Sequence, residues 1–179
     1  SSRRQRQMCI RDSSGTDRVN EAVSKLSLSD EDVVINIQGD EPFINPEDIN
    51  NLFDLVSKKE IAMGTLYSDL KSLDELEDSN KVKILVNDGI ASNFFRETSL
   101  VNNIFIHQGV YAFKYKTLKS FVSWQPSDNE KKYKLEQFRA LDNGIKINAI
   151  KSVSKIHLGV DTEDDLKKAN EIAKDDSYK

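Results

Sequence analysis

The run Val33-Val34-Ile35-Asn36-Ile37-Gln38-Gly39-Asp40-Glu41-Pro42 constrains this chain more than any other stretch. Mostly apolar, β-branched residues lead straight into a polar turn that holds a glycine and two carboxylates. A run of that length, bounded by turn chemistry, predicts a buried strand. Gly39 allows a sharp bend or the close approach of a ligand. Asp40 and Glu41 then lie just past the carboxyl end of the strand, where open α/β sheets bind ligands. An acidic turn that merely closes a strand fits the same residues.

Helical and extended patterns alternate around this strand. Val19, Ala22, Val23 and Leu26 mark one face of a short helix, preceded by the small-residue turn Ser14-Gly15-Thr16-Asp17-Arg18. Asn45 is a good N-cap and Pro46 suits the first position of a second helix, with Ile49, Leu52, Phe53 and Val56 as its buried stripe. Residues 61–67 read as a strand. Asp88-Gly89 between two extended runs signals a hairpin, because both residues accept positive φ. Residues 96–106 read as irregular, 109–113 as a strand and 117–121 as a short helix. Ser127 with Glu130 forms a capping box, predicting one helix that runs past Leu135, Phe138 and Leu141 to a C-terminal cap at Asn143-Gly144. A strand over 145–153 and a last helix after Gly159-Val160-Asp161-Thr162 complete the pattern. The alternation predicts a single α/β domain with a mixed, largely parallel sheet and an inserted hairpin.

Composition narrows the chemistry. A net charge of −4 argues against general nucleic-acid binding, and one cysteine (Cys9) excludes an internal disulfide framework. With only two histidines beside that cysteine, the usual zinc ligand count cannot be met. A divalent ion here would be held by oxygen, as magnesium or calcium is. Residues 1–13 carry four arginines, against three in the remainder; a basic arm would fit them, but they read rather as a foreign leader joined to an incomplete domain over 14–179, one that begins mid-domain.

Two turns share a grammar. Gly39-Asp40-Glu41-Pro42 and Gly159-Val160-Asp161-Thr162 each place a glycine near an aspartate and precede a helix. On one rim of a sheet, Asp40 and Asp161 would jointly hold a magnesium ion, whose shell is completed by water and substrate phosphates. That points to metal-assisted phosphoryl or nucleotidyl transfer. Asp161 equally suits a helix N-cap. His107 and Tyr111, spaced i, i+4, share a face of an extended segment and suit a polyhydroxylated anion; taken alone they favour a surface histidine and a core aromatic. Glu136 and Gln137 sit next to each other on a helix, so they face different directions. Arg18 and Arg96 are candidate clamps for a carboxylate or phosphate.

Together these residues resemble the 3-deoxy-manno-octulosonate (Kdo) cytidylyltransferase family, the CMP-Kdo synthetases. The likeness runs in order through Ser14–Arg18, Val34–Pro42, Asn80–Lys83, Phe94–Arg96, His107–Tyr111, Trp124–Ser127, Leu135–Arg139 and Gly159–Leu166. It implies a Rossmann-like, GT-A-like nucleotidyltransferase fold and transfer of CMP from CTP to Kdo, for lipopolysaccharide synthesis in the cytoplasm. It further implies Asp40 and Asp161 as catalytic magnesium ligands. Ser14, Gly15, Thr16 and Arg18 would bind the nucleotide, and Gln38, Arg96, His107, Tyr111, Glu136 and Gln137 the sugar. A homodimer through about residues 90–115 is also implied. The family's opening strand and its glycine-, arginine- and lysine-bearing loop have no match here. Phe95 and Ser99-Leu100 depart from the family pattern, which keeps another 2-keto sugar acid, or a non-catalytic sugar-binding domain, as alternatives.

Overall fold

A computed structural model describes residues 15–154, 156–160 and 162–174. Six strands form one sheet: β1 (Val33–Asn36), β2 (Met63–Ser68), β3 (Lys83–Asn87), β4 (Ile90–Phe95), β5 (Ile104–Lys114) and β6 (Ile147–Lys151). The helices are α1 (Gly15–Val23), α2 (Pro46–Ser57), α3 (Tyr115–Ser123), α4 (Asp128–Tyr133), α5 (Gln137–Asp142) and α6 (Glu163–Lys174), with a 3₁₀ turn at Leu73–Leu76.

The sheet is mixed, as expected, but it is not largely parallel. Among the described residues β2–β6 is the one parallel pairing, while β1–β5, β2–β5, β3–β4, β3–β5 and β4–β6 are antiparallel. The reason is β5. The crossover through α2 does set β1 and β2 in the same direction, yet β5 lies between them and opposes both. Its amino-terminal end turns to β3, so the pairings β5–β2–β6–β4–β3 return to β5. The hairpin stands where its turn chemistry placed it, with Asp88 at φ +49° and Gly89 at φ +73°.

Strand β5 begins at Ile104, five residues before its expected start, and absorbs part of the stretch read as irregular. Gly109-Val110 is a bulge: Thr65 pairs with Tyr111 but Leu66 pairs with Gln108. Such an insertion bends a strand and re-aims its side chains.

Two apolar clusters cover the sheet. On one side Leu52 and Val56 of α2 pack with Ile61, Leu66, Val110 and Ala112. Phe53, expected in that stripe, is instead exposed, and Leu55 takes part in the packing. The other side holds Val34, Phe94, Tyr111, Phe113, Phe121 and Phe138 together with Leu118 and Leu135. Gly64 permits α2 to approach closely, since a Cβ there would come within 2.8 Å of Val56 Cγ2.

The single helix expected after Ser127 is two. Both bonds of the capping box form, from Glu130 N to Ser127 Oγ (3.1 Å) and from Ser127 N to Glu130 Oε2 (3.3 Å). Lys134 then turns left-handed (φ +54°) and ends α4. The turn lets Arg139 of α5 fold back on Glu130, with Nε to Oε2 at 2.8 Å and Nη2 to Oε1 at 2.5 Å. On a straight helix, residues nine apart would stand about 13 Å apart along the axis. Glu130 thus caps α4 and neutralises a buried guanidinium at once.

Candidate active site

The turn after β1 is closed by the Glu41 N–H donating to the Gln38 carbonyl at 3.2 Å. It leans over the bulge of β5, where Gln38 Cγ would lie 3.7 Å, and a Glu41 carboxylate oxygen 4.0 Å, from a Cβ placed on Gly109. From the other side the Val160 N–H donates to the Asp40 carbonyl at 2.8 Å. Val160, of the second glycine-aspartate turn, thus touches the backbone of the first. Asp161 and Ser14 lie outside the described residues.

His107 and Tyr111 do share a face, their ring centroids 5.4 Å apart, with Phe94 edge-on to His107 at 5.1 Å. His107 Nε2 meets the Thr65 hydroxyl at 2.9 Å, and that hydroxyl also reaches the Val110 carbonyl at 2.9 Å. Burial pushes the imidazole down to about 3, so it is neutral near pH 7. Burial and then the charge of Glu136 hold the Tyr111 phenol well above its ordinary value. The phenol donates to Gln137 Oε1 at 3.3 Å.

Glu136 and Gln137 take different partners, as adjacent positions should. Glu136 accepts from the hydroxyl of buried Thr16 at 2.7 Å, tying the first turn of α1 to the start of α5, while Gln137 faces β5. Gly15 and Arg18 share that first turn of α1 and are exposed. Thus Thr16, Glu136, Gln137, Tyr111 and His107 form one set of contacts, and the turn Gln38–Glu41, which carries Asp40, lies beside it at Gly109.

Arg96 follows β4, beyond Phe94, which packs edge-on to His107. Its guanidinium donates to the carbonyls of Ser79 and Lys134, both at 3.2 Å, and lines a 410 Å³ cleft with Phe95, Asn129 and Tyr133. Two residues passed over in the sequence belong to the site. Thr65 fixes His107, and the buried Asn36 side chain, next to Gln38 in the alternation of β1, has an amide nitrogen with no partner among the described residues. Neither carries a local signal, because each matters only through a neighbour on another strand. Among the described residues no three His, Cys, Asp or Glu cluster to hold a metal. Asp40 is a hard oxygen donor on a half-exposed turn, and magnesium needs only one or two such carboxylates.

The neutral histidine has a pH signature. Its folded value lies below its unfolded value near 6.5, so between about 6.5 and 3 the unfolded chain binds the extra proton. Stability is lost as pH falls through that window, by at most about 1.4 kcal/mol per pH unit. Urea unfolding should show a lower midpoint at pH 5 than at pH 7. His107→Gln should reduce that difference, and His157, also pushed down by burial, should account for part of what remains.

Comparison with known proteins shows the family. The family model described as Cytidylyltransferase matches residues 7–147. The 3-deoxy-manno-octulosonate cytidylyltransferase 2 of Actinobacillus pleuropneumoniae serotype 5b is 36% identical over 176 residues, covering 89% of this chain and 70% of that protein. A 3-deoxy-manno-octulosonate cytidylyltransferase of Francisella tularensis subsp. holarctica is 35% identical over 173 residues, covering 89% of this chain and 69% of that one. Among solved structures, CMP:2-keto-3-deoxy-manno-octonic acid synthetase complexed with CTP superposes with a TM-score of 0.80 at 29% identity, covering 91% of this chain and 69% of that one. With a family match over most of its length and relatives above 30% identity, the chain belongs to the cytidylyltransferase family, among the 3-deoxy-manno-octulosonate cytidylyltransferases.

Proposed function

We propose that this chain transfers the CMP group of CTP to the anomeric hydroxyl of Kdo, releasing pyrophosphate and supplying an activated sugar acid for lipopolysaccharide synthesis. The hydroxyl oxygen bonds to the α-phosphorus, the bond to pyrophosphate breaks, and the hydroxyl proton is lost. The observation that carries the reading is the meeting of the Asp40 turn with Val160, beside the polar lining of β5 and α5.

In this reading Asp40 and Asp161 hold magnesium, which when bound neutralises charge on the phosphates. Ser14, together with Gly15, Thr16 and Arg18 of the first turn of α1, binds the nucleotide. Gln38, His107, Tyr111, Glu136 and Gln137 orient the sugar acid. A neutral imidazole and a protonated phenol suit its hydroxyl groups, and the Asn36 amide supplies a further donor for a ligand oxygen. Fixed dipoles of this kind need no reorganisation during reaction. The fold is read as the Rossmann-like, GT-A-like type with β5 set antiparallel between the crossover strands. Use of CTP places the enzyme in the cytoplasm. Exposed Leu100 and Val101, within residues 90–115, are the apolar surface available to a homodimer.

The test is pyrophosphate release with CTP, magnesium and a panel of 2-keto sugar acids. Turnover should be greatest with Kdo. A sialic-type acid preferred over Kdo would move the assignment to another CMP-sugar synthetase. Binding without turnover would leave a sugar-binding domain.

A further inference from the structure

The described residues of the connection from β6 to α6 lie outside helices and strands, yet they are fastened at two places. Asp48 is fully buried in the first turn of α2. Its carboxylate accepts from Ser152 Oγ at 2.6 Å, Val153 N at 2.7 Å, and both N (3.2 Å) and Oγ (2.5 Å) of Ser154. The Asn45 N–H donates to that same Ser154 hydroxyl at 3.0 Å. Farther on, the His157 ring meets the Gln108 amide, and Val160 meets the Asp40 carbonyl.

Asp48 stands at the third position of its helix, where an acid ordinarily turns back to its own cap. Here the cap is satisfied without it, because the Asn45 side chain accepts from the Glu47 N–H at 2.9 Å. The carboxylate is released to another segment while still lying at the positive end of the helix dipole. Only a short link separates Asn45 from the Asp40 turn. The turn and the start of α2 therefore hold the connection at Val160 and at Ser152–Ser154.

We infer that Asp48 is a positioning residue for the metal site: it anchors the connection so that the second carboxylate turn is presented to Asp40. This rests on the reading of Asp40 and Asp161 as magnesium ligands. Outer partners that orient metal-binding carboxylates commonly change metal affinity by about 10–100-fold.

The test uses the full chain, comparing wild type with Asp48→Asn and the milder Ser154→Ala. Manganese binding is followed by electron paramagnetic resonance in the presence of CTP, and amide hydrogen exchange by mass spectrometry. Asp48→Asn should weaken manganese binding about tenfold and speed exchange across the connection, leaving β2 and β5 protected. Ser154→Ala should shift both in the same direction by less. Unchanged manganese affinity in both variants, with only a lower melting temperature, would overturn the inference and leave Asp48 a stabilising residue. A wild-type chain that binds no manganese would overturn the metal reading itself, and this inference with it, whatever the exchange data show.

Discussion

Asp40→Asn should reduce pyrophosphate release from CTP and Kdo by at least about 10²–10³-fold, the loss typical when one fixed electrostatic stabiliser is removed. The unfolding curve should not move. The reason lies in how Asp40 is used: its contact with Val160 is made by the backbone carbonyl, which asparagine retains, and its side chain stands on a half-exposed turn. Asparagine also keeps an oxygen at the same place but removes the negative charge that a divalent cation and a triphosphate together require. Steady-state pyrophosphate release, paired with urea unfolding of the same preparation, separates the two effects. Activity equal to wild type would remove Asp40 from the metal site.

Arg139→Met should cost about 3–5 kcal/mol of stability, the usual result of breaking a buried ion pair from one side. Arg139 is 1% exposed, bonded twice to Glu130, 3.7 Å from an Asp17 carboxylate oxygen and stacked 4.7 Å over the Phe121 ring. One side chain thereby joins α1, α3, α4 and α5. Methionine fills the volume but removes the positive charge that the Glu130 carboxylate pairs with. Arg139→Lys should fall between, because an ammonium cannot make the two-pronged bond or stack as a guanidinium does. Equilibrium urea unfolding gives the values. A cost below about 1 kcal/mol for Arg139→Met would show that Glu130 regains solvent when its cation is removed.

Arg139 also marks where local reading stopped. The capping box at Ser127 was legible because both partners lie within one turn of chain, and so was the helix cap at Asn45. The break at Lys134 was not: lysine carries no signal for positive φ, and the turn is maintained by the pairing of Arg139 with Glu130 that it allows. Lys83 is similar. It matched a motif, yet nothing in its neighbours announced that its ammonium would be fully buried, donating to the carbonyls of Asp78, Lys81 and Arg96. Of the residues named from the chain, His107, Tyr111, Glu136 and Gln137 stand in one set of contacts, with the Gln38–Glu41 turn beside Gly109. Arg96 was named with them, and its guanidinium is held by two backbone carbonyls.

The sequence by itself determined the turns and caps, the alternation of strands and helices, and the two glycine-aspartate turns whose match to a cytidylyltransferase is specific. These are short-range properties, set by backbone preferences and by hydrogen bonds within a few residues. The tertiary structure alone decided that β5 lies between β1 and β2, that Thr65 fixes His107, and that Asp48 reaches the connection after β6. Each of those depends on partners far apart in sequence, as with Thr65 and His107, 42 residues apart, and periodicity records that a face is buried without recording what it is buried against.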